Sequence, residues 1–402
     1  DHQTGFVFVA NVSGVQTDGI ISSDGVIYDT NWDAVWESAT KVLRTGWAAE
    51  FKIPFSAIRF PPKKRYTWGI NFRRYISRKK ETDEWVLIPR RERGTISKMG
   101  HIIGIETIRP PVYLKLLPYV LSRQLYQPTA ASKDEKKKLE AGLGLDLRYG
   151  LTSTATVNAT LNPDFGQVEA DQAVLNLTTF ETFYPEKRPF FFEGSQIFDF
   201  GTAFDGLGAR LFYSRRIGLQ PTYQPSSGER LLRLPKKTTI LGAGKLTAHE
   251  ASGLTVGALE AVTDEEHATV STSAGLTERR LAAPLSNFSV FRIKKDVMEN
   301  SSIGAMLTSV NRRKHLPAHT GGIDWILRYA NSTFATDGYL AFSHTSLNAR
   351  NRATGFAGRL YAGKIAGEHW VYASTYDFTS RDYSVNDVGF FLRPSDHGGY
   401  SQ

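Results

Sequence analysis

The stretch Leu143-Gly144-Leu145-Asp146-Leu147-Arg148-Tyr149-Gly150-Leu151-Thr152-Ser153-Thr154-Ala155-Thr156-Val157-Asn158-Ala159-Thr160-Leu161 decides the fold class. Leu143, Leu145, Leu147 and Tyr149 fall on one side of an extended chain, with Gly144, Asp146 and Arg148 on the other. Past Gly150-Leu151 the alternation resumes. Ala155, Val157, Ala159 and Leu161 then oppose Thr154, Thr156, Asn158 and Thr160. A side-chain period of two belongs to a β-strand, and two such runs around a tight turn make a hairpin.

The pattern continues toward the C-terminus. Ile323, Trp325, Leu327 and Tyr329 oppose Asp324, Ile326 and Arg328, and Trp370, Tyr372, Tyr376 and Phe378 prolong it. Strands are expected near 112–124, 140–149, 152–161, 174–184, 208–217, 237–248, 253–263, 286–297, 301–311, 320–330, 333–343, 354–365 and 368–378. Short turns (150–151, 249–252, 298–300, 331–332, 366–367) alternate with longer polar connections (125–139, 218–236, 264–285, 312–319, 344–353). That alternation of connection length is a mark of outer-membrane barrels. Residues 111–402 therefore read as an antiparallel transmembrane β-barrel with an inserted segment at 162–207. Thirteen strands by residue 378, and a new apolar run at Val388-Gly389-Phe390-Phe391-Leu392, make the barrel read as incomplete in this chain.

Composition narrows the function classes. The 402 residues include 49 Lys and Arg against 40 Asp and Glu, and no Cys. Without cysteine there is no disulfide scaffold, thiolate metal site or cysteine nucleophile. Eleven bases against four acids crowd residues 63–93, a strip suited to phosphate groups or to solvent. No nucleic-acid motif accompanies it, and no nucleic-acid partner is expected. His-Glu-x-x-His, Gly-x-Ser-x-Gly and the phosphate-binding Gly-x-x-x-x-Gly-Lys-Ser/Thr are all missing. The expectation is no catalytic residue, no metal and no cofactor.

Residues 1–110 carry shorter β runs at Phe6–Ala10, Trp47–Ile53, Trp68–Ile76 and Glu84–Ile88, which suggests an antiparallel sandwich. Ala48, Glu50 and Lys52 alternate with Ala49, Phe51 and Ile53 in the manner of a half-buried strand. Trp32, Trp36, Trp47, Trp68 and Trp85 are candidates for stacking on a sugar ring. Trp47 and Trp68 lie inside apolar runs and read first as core. Trp32 and Trp36 flank the polar loop Asp29-Thr30-Asn31-Trp32-Asp33 and are the better platform candidates.

The runs Asn31-Trp32-Asp33-Ala34-Val35-Trp36-Glu37, Gly46-Trp47-Ala48-Ala49-Glu50-Phe51-Lys52-Ile53-Pro54-Phe55-Ser56 and Trp68-Gly69-Ile70-Asn71-Phe72-Arg73-Arg74 resemble the second half of a family 9 carbohydrate-binding-like module. The resemblance implies a partial β-sandwich and a carbohydrate ligand. A second resemblance rests on Asn162-Pro163-Asp164-Phe165-Gly166-Gln167-Val168-Glu169-Ala170-Asp171-Gln172 and on Phe180-Glu181-Thr182-Phe183-Tyr184-Pro185-Glu186-Lys187-Arg188-Pro189-Phe190-Phe191-Phe192-Glu193-Gly194. These are similar to the signature of an uncharacterised bacterial outer-membrane β-barrel family whose members carry such a module at the N-terminus. The family resemblance implies an outer-membrane location.

The segment 162–194 also has a physical reading. Bare carboxylates cannot face lipid, so it belongs in a lumen or at a barrel mouth. Asp164, Glu169, Asp171, Glu181, Glu186, Arg188 and Glu193 are its candidate lumen or gate residues. The plainer reading is a structural plug whose acids pair with arginines of the lumen.

The functional expectation is an all-β outer-membrane protein of a Gram-negative-type bacterium. It would contact membrane lipid and bind or admit a glycan without catalysis, with the N-terminal region on the periplasmic side. Two alternatives stay open: a secreted all-β glycan-active hydrolase, and a structural barrel that anchors partners.

Overall fold

In the computed structural model, residues 4–25, 27–30, 32, 34–58, 60, 63–89, 94–108, 114–125, 138–152, 154–163, 181–201, 210–250, 252–298, 300–346, 352–367, 369–391 and 397–401 are described. The protein is all-β with short helical turns.

The N-terminal region forms four small antiparallel sheets. Strands β1 (Gly5–Ala10), β2 (Gln16–Ser22) and β3 (Ile27–Asp29) make the first, and β4 (Glu37–Leu43) with β5 (Gly46–Lys52) the second. Strand β6 (Arg65–Ile70) precedes the hairpin β7 (Arg73–Ile76) and β8 (Glu81–Glu84), then pairs with β9 (Gly100–Glu106). Two expectations shift here. The run 68–76 divides into β6 and β7, and the strand expected at 84–88 ends at Glu84. The turn at Asn71 causes both changes. Its side chain binds the Val86 backbone through N–H and C=O and replaces the ladder there. Strand β5 is exposed along its whole length rather than half-buried.

The remainder is organised by one 12-stranded antiparallel sheet in sequence order. Its first members are β10 (Leu114–Leu125), β11 (Lys138–Gly150) and β12 (Ala155–Leu161). After β13 (Arg230–Arg233), which lies elsewhere, come β14 (Ile240–His249) and β15 (Leu254–Thr263). The hairpin β16 (Glu266–Ser271) and β17 (Thr277–Ala283) then leaves the sheet to pair with β13. Finally β18 (Ser286–Met298), β19 (Ser301–Arg312), β20 (Ala318–Tyr329), β21 (Phe334–Ser346), β22 (Arg352–Lys364), β23 (Tyr372–Thr379) and β24 (His397–Ser401) complete it. Among the described residues no ladder joins β10 to β24, so the sheet has two free edges.

Three strand expectations are corrected. Residues 181–184 are not a strand, and the rest of the expected 174–184 run lies outside the described residues. Residues 210–217 make only a bridge, Arg210 to Phe390, and a helical turn at Ser214–Arg216. The apolar run at 388–391 belongs to that same inner contact, and the next sheet strand is β24. Residues 211–217 and 388–390 are apolar because they pack in the interior, not because they add strands to the sheet. The connections around 218–236 and 264–285, expected as plain loops, build the small sheet of β13, β16 and β17. Long and short connections otherwise alternate as expected. The exception is 365–371, which is longer than the connection 313–317 on the other side.

The two faces of the large sheet differ. One face exposes Leu143, Leu161, Ile303, Leu307, Ile323, Leu340, Phe356 and Leu360. The other mixes polar and charged residues with core side chains and is covered by residues 181–201, 210–217 and 380–391. Between them lies the core, with Phe190, Phe191, Phe198, Phe200, Leu211, Ile217 and Val388 packed against Leu259, Phe288, Val290, Met306, Tyr339 and Ala357.

Candidate functional site

The covered face of the sheet and the segment on it form a continuous polar and aromatic contact. The segment runs as coil to Arg188, makes a helical turn over α1 (Pro189–Phe192), and turns again at Ser195–Phe198. Pro189 suits the first helical position, where no N–H is required.

The sheet holds this segment through charged side chains on its covered face. Lys245 of β14 is 2% exposed, and its ammonium donates to the backbone carbonyls of Phe190 and Glu193. Those are orphan carbonyls at the end of α1, where a cation is favoured. Arg148 of β11 pairs with Glu193 at 2.9 Å, and Asn158 of β12 donates to the same carboxylate at 3.4 Å. Farther along, Asp324 of β20 accepts from the Gly201 amide at 3.3 Å. The Arg292 guanidinium lies 5.6 Å from the Phe200 ring centre. A β-carbon at Gly322 would come within 2.7 Å of that ring, so the close approach of Phe200 to the wall needs glycine there.

A second set of bonds holds the segment to itself. The Glu186 carboxylate accepts from Arg188 Nε at 2.8 Å, Arg188 Nη2 at 2.7 Å, Ser214 Oγ at 2.5 Å and the Arg188 amide at 2.9 Å. Arg188 also donates to the carbonyls of Ile217 and Ser214, each at 2.7 Å. Burial works against ionisation of Glu186, but the hydrogen bonds and charge of Arg188 outweigh it and hold the carboxyl below its usual range. Glu181 pairs with Arg216 at 2.6 Å.

Of the candidate lumen residues, Glu181, Glu186, Arg188 and Glu193 are thus joined to ion pairs. Glu193 pairs with Arg148 of the sheet, while Glu186 and Glu181 pair with Arg188 and Arg216 of the segment itself. Asp164, Glu169 and Asp171 lie outside the described residues. Sequence reasoning did not single out Lys245, Arg292 or Asp324. Their signal was a charge on the polar side of an alternating strand, which marks a residue that needs an internal partner.

The five tryptophans part company. Trp36 is 8% exposed, stacks on Phe51 at 5.4 Å, and donates its indole N–H to Asp18 at 3.2 Å. Trp32 packs against Phe6 and Phe8. Trp68 sits among Phe55, Phe60 and Tyr66. Trp47 is partly exposed, while Trp85 is 60% exposed. The Trp85 ring meets Phe72 edge-on at 6.0 Å, and Phe72 is itself exposed. Among the described residues no group of His, Asp and Glu could hold a metal ion.

Comparison with curated proteins and with solved structures gave no match. A family model described as a domain of unknown function, DUF5916, matches residues 110–400. That span takes in the large sheet together with the segment packed on it, and the chain belongs to the DUF5916 family.

Proposed function

We propose that the 12-stranded sheet is the wall of an outer-membrane β-barrel, that residues 181–201 and 210–217 belong to its internal plug, and that the protein binds or admits a glycan without catalysis. One observation carries this reading: the uncovered face of the sheet is apolar, while the covered face buries charged side chains among its core residues. Monomeric water-soluble proteins rarely expose contiguous apolar patches beyond a few hundred Å². Here leucine, isoleucine, phenylalanine and tyrosine side chains stand exposed on strands from β10 to β23. Lys245, Arg292, Asp324 and Arg359 lie buried on the opposite face. An exposed apolar face backed by buried charges suits a wall between lipid and a filled lumen. Backbone groups at a free edge cannot be left bare in lipid, so the wall inserts only with both β10 and β24 covered.

The carbohydrate part of the reading places a partial sandwich in the N-terminal region and a sugar platform at Trp85 and Phe72. These two rings present exposed aromatic surface on one face of the β7–β8 hairpin and its extension. Arg74 and Asp83, paired across the hairpin, lie next to them on the same face. They can donate to and accept from sugar hydroxyls.

Phase partition tests the membrane part. The folded chain is expected in the detergent phase after extraction, with a heat-sensitive shift in electrophoretic mobility. A folded monomer that stays in aqueous buffer without detergent would overturn the reading.

A further inference from the structure

The small sheet of β13, β16 and β17 separates its charges by face. Residues paired across neighbouring strands share a face. On one face Arg280 stands opposite Ala268, and Glu278 opposite Val270. The charges there are matched internally. Arg280 bonds Glu229 at 2.8 Å and Glu278 at 2.6 Å, and Glu229 also accepts from the Tyr223 hydroxyl at 2.7 Å.

The opposite face is arranged differently. Thr269 on the central strand lies between Arg233 and Arg279, and Ser271 lies between Arg230 and Thr277. Regular alternation would send Arg230 and Arg233, three residues apart, to opposite faces. The register shifts between Leu231 and Arg233, leaving Leu232 as an extra residue. That bulge turns Arg233 onto the side of Arg230, the re-aiming for which bulges are known. No acid occurs among the paired residues of this face. Arg230 and Arg279 are exposed.

We propose that this face docks an anionic polysaccharide that carries carboxylate or sulfate groups at intervals along its chain. Strand spacing puts Arg230 and Arg279, two strands across and two residues along from each other, about 12 Å apart at the backbone. Guanidinium groups at this separation match anions repeated along a polymer, and each can bind an oxyanion through two N–H groups. The hydroxyls of Thr269, Ser271 and Thr277 stand between the arginines and can exchange hydrogen bonds with sugar hydroxyls. The sheet grows from the long connections of the wall, away from the Trp85 hairpin in sequence. The proposal therefore does not depend on the tryptophan platform.

Calorimetric titration of the detergent-solubilised full chain tests it, with oligogalacturonate, dextran sulfate oligomers and neutral dextran as probes. Both anionic oligomers are expected to bind and dextran is not. Arg230→Gln with Arg279→Gln should weaken binding by at least about tenfold, the scale of losing one charge-assisted contact. Lys63→Gln with Lys64→Gln removes the same charge from another region and should leave affinity unchanged. The single variants Arg230→Gln and Arg279→Gln, each expected to lose part of the affinity, serve if the double variant does not fold. Equal loss in the lysine variant, equal binding of dextran, or no binding would overturn the proposal. So would capture of anionic phospholipid vesicles through Arg230 and Arg279 with no oligomer bound.

Discussion

Arg292 and Asp324 lie on strands β18 and β20 and form a two-point ion pair across the strand between them, with N–O distances of 2.5 and 2.8 Å. The residue beneath the pair is Gly304 of β19, where a β-carbon would stand 2.6 Å from Arg292 Nη1 and 2.7 Å from Asp324 Oδ1. Both partners are nearly inaccessible, and Asp324 also accepts from the Gly201 amide of the inner segment. Removing one partner of a buried pair leaves the other charge uncompensated, at a cost of about 3–5 kcal/mol. Asp324→Ala should lower unfolding stability by that amount in urea titrations. Pairing Arg292→Met with Asp324→Leu should recover much of the loss. Equal destabilisation by the single and double changes would show that the pair is not the source.

Lys245 provides a separate handle on the inner segment. Lys245→Met keeps much of the side-chain volume and removes the donor to the Phe190 and Glu193 carbonyls. A charged hydrogen bond of this kind contributes about 1.5–3 kcal/mol. The variant should keep its sheet, seen by circular dichroism, while proteolysis within 181–201 accelerates. An unchanged cleavage rate would mean that the aromatic packing of Phe190 and Phe200 suffices to seat the segment.

Acid should loosen the same region through Glu186. Its carboxyl is held below the ordinary value of 4.5, mainly by Arg188 against the opposing effect of burial. A depressed carboxyl contributes stability that is fully present above the unfolded value and is lost as pH falls through the folded one. Hydrogen exchange of residues 184–217 should therefore be steady above about pH 5 and rise below the unfolded value. Glu186→Gln should flatten that acid dependence. A variant with the wild-type pH profile would assign the effect to another group.

Leu307 discriminates between lipid and water on the uncovered face. It is 55% exposed near the middle of β19. Arginine on the lipid face of a barrel costs about 2–4 kcal/mol at mid-depth. At an exposed site in water the change stays within about 0.5 kcal/mol. Leu307→Arg should accordingly impair folding into lipid vesicles, read by the mobility of the folded band. Unimpaired insertion would place this face in water.

Trp36 and Trp85 should separate stability from sugar binding. Trp36→Ala removes a buried ring stacked on Phe51 and should cost about 3–5 kcal/mol of stability. Trp85→Ala should leave the fold intact and lower affinity in a glycan titration. A β-carbon at Gly100 would stand 2.7 Å from Trp85 Cζ3, so Gly100→Ala should displace the ring and weaken binding in the same direction. Glycan affinity unchanged in both variants would move the platform elsewhere.

Local alternation was enough to read the strand-rich class and the position of most strands of the large sheet. The alternation at Leu143–Tyr149 and Ala155–Leu161 appears directly in β11 and β12, because a period of two is a local property of the extended backbone. The sequence also determined that the segment around Glu186 could not lie bare against an apolar phase, since the cost of an unpaired carboxylate does not depend on the fold. Which apolar runs joined the sheet and which packed on it was settled by tertiary contacts. Residues 210–217 and 388–391 have the hydrophobicity of strands but meet each other inside the sheet's covered face. Partner choice was equally hidden. Asp324 reaches Gly201 across 123 residues, and Arg148 reaches Glu193 from two strands away from Lys245. Likewise Trp36, beside a polar loop in sequence, proved buried, and Trp85, inside an apolar run, proved exposed. Periodicity is set by neighbours along the chain, whereas burial and ion pairing are set by which distant segments the sheet brings together.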